Sequence, residues 1–180
     1  ASDVYKRQDL DGDATIVATK AQSVDVFVWK VTNGVVNPTP QKYAFPVATP
    51  SYYWNVVPMP VGMTGYMGFF STSATNGLIW MNSTMGEVSR SSGVRTSGGD
   101  VITINGRVYV AYTAYSGDQK GVMRICDITD GKYNQIFNYT MEASGANGNS
   151  TASACLMVKN NELYAVFGCT GSGLYFYRIA

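Results

Sequence analysis

Asp100-Val101-Ile102-Thr103-Ile104-Asn105-Gly106-Arg107-Val108-Tyr109-Val110-Ala111-Tyr112-Thr113 reads as two strands closed by a two-residue turn. Asn-Gly between strand-like runs is the strongest short hairpin signal, because both central positions of the favoured turn need positive φ. Alternation carries the second half of the reading. Val108, Val110 and Tyr112 share one face of the strand and Tyr109, Ala111 and Thr113 the other, and both faces are largely apolar. Such a sheet is expected between two neighbours, with neither face left to water. Downstream, a looser turn from Ser116 to Gly121 leads to a third strand, Val122 to Ile128, and after Asp130-Gly131 to a fourth, Tyr133 to Thr140.

Outward from this hairpin the same phrase returns. Val26-Phe27-Val28-Trp29-Lys30-Val31-Thr32-Asn33-Gly34, Leu78-Ile79-Trp80-Met81-Asn82-Ser83-Thr84-Met85-Gly86 and Met123-Arg124-Ile125-Cys126-Asp127-Ile128-Thr129-Asp130-Gly131 are successive versions of it. Tyr175-Phe176-Tyr177-Arg178-Ile179 is the last. A self-similar period of about 45–52 residues, each filled by short strands, predicts an all-β chain built as a β-propeller of four-stranded antiparallel blades. The approximate units are 9–49, 50–97, 98–148 and 149–180. The fourth repeats the register of the third, with Asn160-Asn161 as its first turn. In the second, Trp54 to Pro58 and Gly65 to Ser71 are joined through Pro60 and Gly62. Asn37-Pro38-Thr39-Pro40 and Glu142 to Ser150 read as linkers between units.

The strands count three, four, four and three, so the chain starts and stops mid-blade. A partial, open propeller is the expected form, with a four-bladed ring closed by an N-terminal strand as the competing one. In the first unit Asp11-Gly12 matches Asn105-Gly106, which would make Val4-Tyr5-Lys6-Arg7-Gln8-Asp9-Leu10 the innermost strand. Its ionisable side chains fit poorly with burial. Ala1 to Gln8 also resembles a translated sequencing adapter of the kind found in reading frames assembled from environmental, metagenomic DNA. It is set aside here as a non-native segment.

Composition narrows the chemistry. With 46% hydrophobic and 14% charged residues, the 180-residue chain is a folded domain, and 19 glycines with 13 tyrosines favour strands and turns. A formal charge of +1 supplies no field for polyanions, so nucleic acid is not an expected partner. The chain has no histidine, which excludes Ser-His-Asp and Cys-His catalysis and imidazole-ligated zinc. Cys126, Cys155 and Cys169 form no CxxC pair and are expected as small buried strand residues. No run of about twenty apolar residues exists for a membrane-spanning helix. No cofactor is expected.

Three constellations could carry function. Pro50-Ser51-Tyr52-Tyr53-Trp54 with Asn55 is the densest aromatic cluster, placed where an inner strand begins near a mouth of the channel. Tyr52, Tyr53, Trp54 and Asn55 could form a stacking platform for a sugar or peptide; packing between blades is the competing role. Asp100 is the acid best placed for catalysis, at the start of an inner strand, although a glycosidase needs a second carboxylate. The equivalent positions of neighbouring units hold Ser51 or Tyr52 and Ser150 or Thr151. Asp9, Asp11 and Asp13 alternate as in a calcium loop and resemble the Asp-rich loops of integrin-type propeller repeats. The slot for a later acidic ligand holds Val17, which favours a solvated turn. Asp130, just before Gly131, reads as turn chemistry. Asn82, Asn138 and Asn149 each open an Asn-X-Ser/Thr pattern.

The strand rhythm ending in Asp127-Ile128-Thr129-Asp130-Gly131 resembles blades of propeller domains in uncharacterised bacterial cell-envelope or secreted proteins, classed as domains of unknown function. The resemblance implies an extracytoplasmic location and matches no catalytic motif. The expected function is a non-catalytic binding or interaction module with a glycan or protein ligand, joined to the remaining blades of a parent chain. The alternative is a piece of a carbohydrate-active propeller enzyme, a hydrolase or lyase, with acids at the channel.

Overall fold

A computed structural model describes residues 4–8, 14–20, 23–47, 54–60, 62–70, 77–91, 95–115, 121–140, 151–169 and 173–179. They form four antiparallel sheets that follow one another along the chain. The first contains β1 (Val4–Gln8), β2 (Ala14–Thr19), β3 (Asp25–Thr32), β4 (Val35–Val36) and β5 (Gln41–Ala44). The second contains β6 (Trp54–Pro58), β7 (Tyr66–Phe70), β8 (Leu78–Met81) and β9 (Glu87–Ser91). In the third are β10 (Arg95–Ile104), β11 (Arg107–Tyr115), β12 (Gly121–Asp127) and β13 (Asn134–Thr140), and in the fourth β14 (Thr151–Lys159), β15 (Glu162–Cys169) and β16 (Gly173–Arg178). Chain order is also pairing order, as expected for hairpin-connected strands.

The turns obey the predicted chemistry. Asn105 and Gly106 have φ of 51° and 73°, and Asn160 and Asn161 have 51° and 62°, so both first hairpins close through two left-handed residues. Asn33-Gly34 adopts the same pair of signs, at 51° and 76°. The second unit departs from this pattern. There Met85, not Gly86, takes positive φ, at 65°, and Met85 is buried in the cluster between the first two sheets. Burial of the thioether offsets the conformational cost that a glycine would have avoided.

Three apolar clusters hold four sheets, one at each junction. Val17, Val26 and Val28 of the first sheet meet Val56, Tyr66, Phe70 and Ile79 of the second. Met67, Phe69 and Leu78, on the opposite side of the second, meet Val108, Val110 and Tyr112 of the third. Tyr109, Ala111, Met123 and Ile125 then meet Leu163, Ala165 and Phe167 of the fourth. Each middle sheet is therefore apolar on both faces because it is covered on both, as the β11 alternation predicts. The first strands also adjoin across the junctions: β6 lies beside β1, β10 beside β6, and β14 beside β10.

Two buried phenols make this packing sensitive to alkali. Burial raises the Tyr66 hydroxyl from 10.0 to about 12, and burial raises Tyr112 further, with nearby Cys126 adding to the shift. A folded-state value above the unfolded one means that the native state holds the proton more tightly. Stability is then fully present below pH 10 and falls as pH rises through about 12. Urea midpoints measured from pH 8 upward should decline above about pH 10, and Tyr66→Phe should flatten that decline. Equal slopes in the two proteins would remove Tyr66 as a contributor.

The structure corrects several expectations. Asn37-Pro38-Thr39-Pro40 does not link two units; it interrupts the outer strand of the first sheet, between β4 and β5, both of which pair with β3. Asn37 still donates its N–H to the Lys30 carbonyl at 2.9 Å. An edge strand tolerates the following prolines because their missing donors face no partner strand. The third sheet opens at Arg95, ahead of the boundary expected at residue 98, and its first strand runs through Gly98-Gly99 with a register shift between Thr96 and Gly98. Val4–Gln8, set aside in the sequence reading, pairs with β2 as the first strand of the first sheet. The last sheet ends at β16 with no N-terminal strand added, so the ring closure considered above is not adopted among the described residues. Cys126 is buried as expected, whereas Cys155 is exposed.

Candidate functional site

The first strands β6, β10 and β14 are where the sequence placed most of its candidates. Tyr52 and Tyr53 lie outside the described residues, as do Asp9, Asp11 and Asp13. Trp54 begins β6. Asn55 follows it but is buried, with 7% of its surface exposed, so it offers no open platform. Its Nδ2 donates to the Gly99 carbonyl of the next sheet at 3.3 Å, while its Oδ1 has no partner among the described residues. Asn55 is thus a tie between the second and third sheets. The aromatic cluster beside it reads only from the sequence.

Asp100 occupies the middle of β10, because the strand begins at Arg95 rather than at Asp100. Its Oδ1 accepts the Val101 N–H at 2.8 Å, and its Oδ2 accepts the Leu156 N–H of β14 at 3.0 Å. A first strand has an unpaired edge whose N–H groups need acceptors once neighbouring sheets exclude water. Asp100 supplies one across the junction from the third sheet to the fourth. Asn55 serves the junction before it in the opposite sense, as a donor to a carbonyl.

The other described carboxylates are also engaged. Asp25 pairs with Lys42 at 3.1 Å, Asp127 with Arg107 at 3.2 Å and Glu162 with Arg178 at 3.2 Å. Glu87 accepts from Arg90 through both oxygens, and Asp130 accepts the Lys132 N–H at 3.0 Å and Asn134 Nδ2 at 3.1 Å. The hydrogen bond from Lys42 holds Asp25 below its usual value, that from Arg90 does the same for Glu87, and the Lys132 N–H does so for Asp130. These shifts favour the ionised form, the reverse of what a general acid needs near neutral pH. Asp130 is the turn residue its sequence context predicts.

Cysteine chemistry is disfavoured in the same way. Desolvation raises the Cys155 thiol, and the nearby Asp100 carboxylate raises it further, so the reactive thiolate is scarce at neutral pH. Burial raises Cys126 likewise. Among the described residues no group of three or more His, Cys, Asp or Glu side chains could hold a metal ion. No helix among them is long and apolar enough to cross a membrane. Asn82 of the first Asn-X-Thr pattern uses its Oδ1 to accept from the Thr84 N–H, the Thr84 hydroxyl and the Gly86 N–H, closing a tight loop.

The sequence reading missed one surface, the outer face of the fourth sheet. Leu174 and Phe176 are 66% and 69% exposed, and Met157 is 47% exposed on the same face. Cross-strand register sets Cys155, Val166 and Phe176 in one row and Met157, Tyr164 and Arg178 in the next. Equivalence with Met123 and Ile125, both fully buried in the third sheet, was the signal available to find it.

No protein-family model matches the chain, and no curated protein does either. Among solved structures, a DUF4623 family protein from Bacteroides eggerthii DSM 20697 resembles it with a TM-score of 0.65 at 14% identity. The match covers 97% of this chain and 44% of that one, so the chain spans less than half the length of its neighbour. The likeness is one of fold, an all-β arrangement found in a family of unknown function.

Proposed function

We propose that this chain is an arc of a β-propeller and serves a bacterial extracytoplasmic protein as a non-catalytic interaction module for a glycan or protein ligand. Serial stacking of four chain-ordered sheets, with their first strands side by side, supports the propeller reading. The observation that carries the non-catalytic reading is Asp100. Both of its oxygens accept backbone N–H groups, one across a sheet junction, so the acid best placed for catalysis is committed to holding two sheets together. The aromatic run Tyr52-Tyr53-Trp54 at the start of a first strand supplies the ligand surface, since stacked rings join apolar area to a polar rim.

A glycan and extracellular-protein binding screen of the 180-residue chain tests this reading. Trp54→Ala should weaken the strongest interaction about tenfold or more, as expected for loss of an aromatic anchor. Asp100→Asn should leave binding intact while lowering stability by about 1–3 kcal/mol, through loss of a buried acceptor. Glycan cleavage by the parent chain that Asp100→Asn abolishes would overturn the assignment in favour of a carbohydrate-active enzyme.

A further inference from the structure

We propose that the bare outer face of the fourth sheet docks on the outer face of the first sheet of a second copy of this chain, head to tail. The inference rests on the propeller reading above and deepens it by naming what covers an open junction. At the junction after the second sheet, Leu78 of β8 and its neighbour Trp80 lie against the third sheet. After the third, the β12 residues Met123 and Ile125 fill the same role and are fully buried. Cross-strand register puts Leu174 and Phe176 of β16 at the matching positions, because Gly168 and Val166 oppose them as Thr113 and Ala111 oppose Met123 and Ile125. Large apolar side chains exposed together on one face mark an interaction surface.

The counter-surface is present on the same molecule. At both later junctions, the face that receives these residues comes from alternate positions of the second strand, Val108 and Val110 in one case, Leu163 and Ala165 in the other. The equivalent first-sheet position is Ile16, which opposes Trp29 across the ladder as Ala18 opposes Phe27. Ile16, Phe27 and Trp29 are half-buried and belong to none of the three clusters, and the two rings lie 6.3 Å apart. Every internal junction joins a following face to a preceding face, so a second copy would dock in that sense, not face to identical face. Such a heterologous contact closes a ring when its rotation allows, and two copies would bring eight sheets together, within the four to eight blades of known propellers.

Light scattering after size exclusion, from about 1 to 200 µM, reads the proposal as mass against concentration. The chain should run as a dimer at the upper end, and Phe176→Lys and Trp29→Lys should each shift it to monomer with an unchanged far-ultraviolet spectrum. Mixing the two variants should restore a dimer, since each keeps the face the other has lost; this recovery also shows that both are folded. Labelling of exposed Cys155 by iodoacetamide should slow on association. A monomer at every concentration would overturn the proposal and leave this face to a further sheet of a longer parent chain. Association abolished by Phe176→Lys but indifferent to Trp29→Lys would overturn the head-to-tail sense. Neither readout involves ligand binding, so failure here is distinguishable from failure of the Trp54 assignment.

Discussion

Gly65→Ala is expected to lower the unfolding free energy by about 3–5 kcal/mol, combining positive-φ strain with overpacking. Gly65 closes the irregular hairpin between β6 and β7, where its carbonyl accepts the Met59 N–H at 2.9 Å and its φ is +95°. A methyl group there would run into the Met81 carbonyl oxygen and lie 2.9 Å from Asn82 Cα. Those atoms belong to the backbone at the end of β8 and cannot swing aside. Gly106→Ala is the control. Gly106 also has positive φ, at 73°, but nothing lies within 4 Å of its missing Cβ, so it should cost only about 1–2 kcal/mol. Equal losses for the two, measured by urea titration, would show that conformational strain alone explains Gly65. Domains are stable by about 5–15 kcal/mol, so the larger loss approaches unfolding.

Phe69→Ala should cost a similar amount, about 3–5 kcal/mol, for a different reason: it opens a cavity. Phe69 is fully buried in the cluster between the second and third sheets. Its ring occupies the space left by the missing side chain of Gly99, where a Cβ would strike both that ring and the Ala111 carbonyl. The two residues are therefore coupled. Gly99→Ala should be strongly destabilising alone and less so on the Phe69→Ala background, because the ring is gone while the Ala111 carbonyl stays. A double-mutant cycle measures the coupling; strict additivity would show that the ring does not depend on glycine at that point.

Much of the scaffold was legible because its signals are local. Asn105-Gly106 and Asn160-Asn161 specify their turns through the φ values those residues tolerate, and β11 declares a twice-covered sheet through apolar residues on both faces. The start of β10 was not legible. Thr96-Ser97-Gly98-Gly99 has a loop's composition, and it becomes strand because Phe69 of the neighbouring sheet needs the room that glycine leaves. The linker reading of Pro38 and Pro40 failed for a related reason, since proline signals an interrupted ladder without saying whether the chain then leaves the sheet or resumes along it.

Site residues divide in the same way. Asp100 stood out as an acid on an inner strand, but its role depends on Leu156, an N–H donor far along the chain that no local pattern reveals. Asn55 looked like part of an aromatic surface and is a buried tie to Gly99. By itself the sequence determined the strands, their turns and the period that sets four sheets in chain order, because alternation and turn chemistry act over a few residues. Only the tertiary structure decided which faces are covered, which carboxylates are committed and which apolar row is bare. Those properties belong to junctions between sheets, where side chains about fifty residues apart meet.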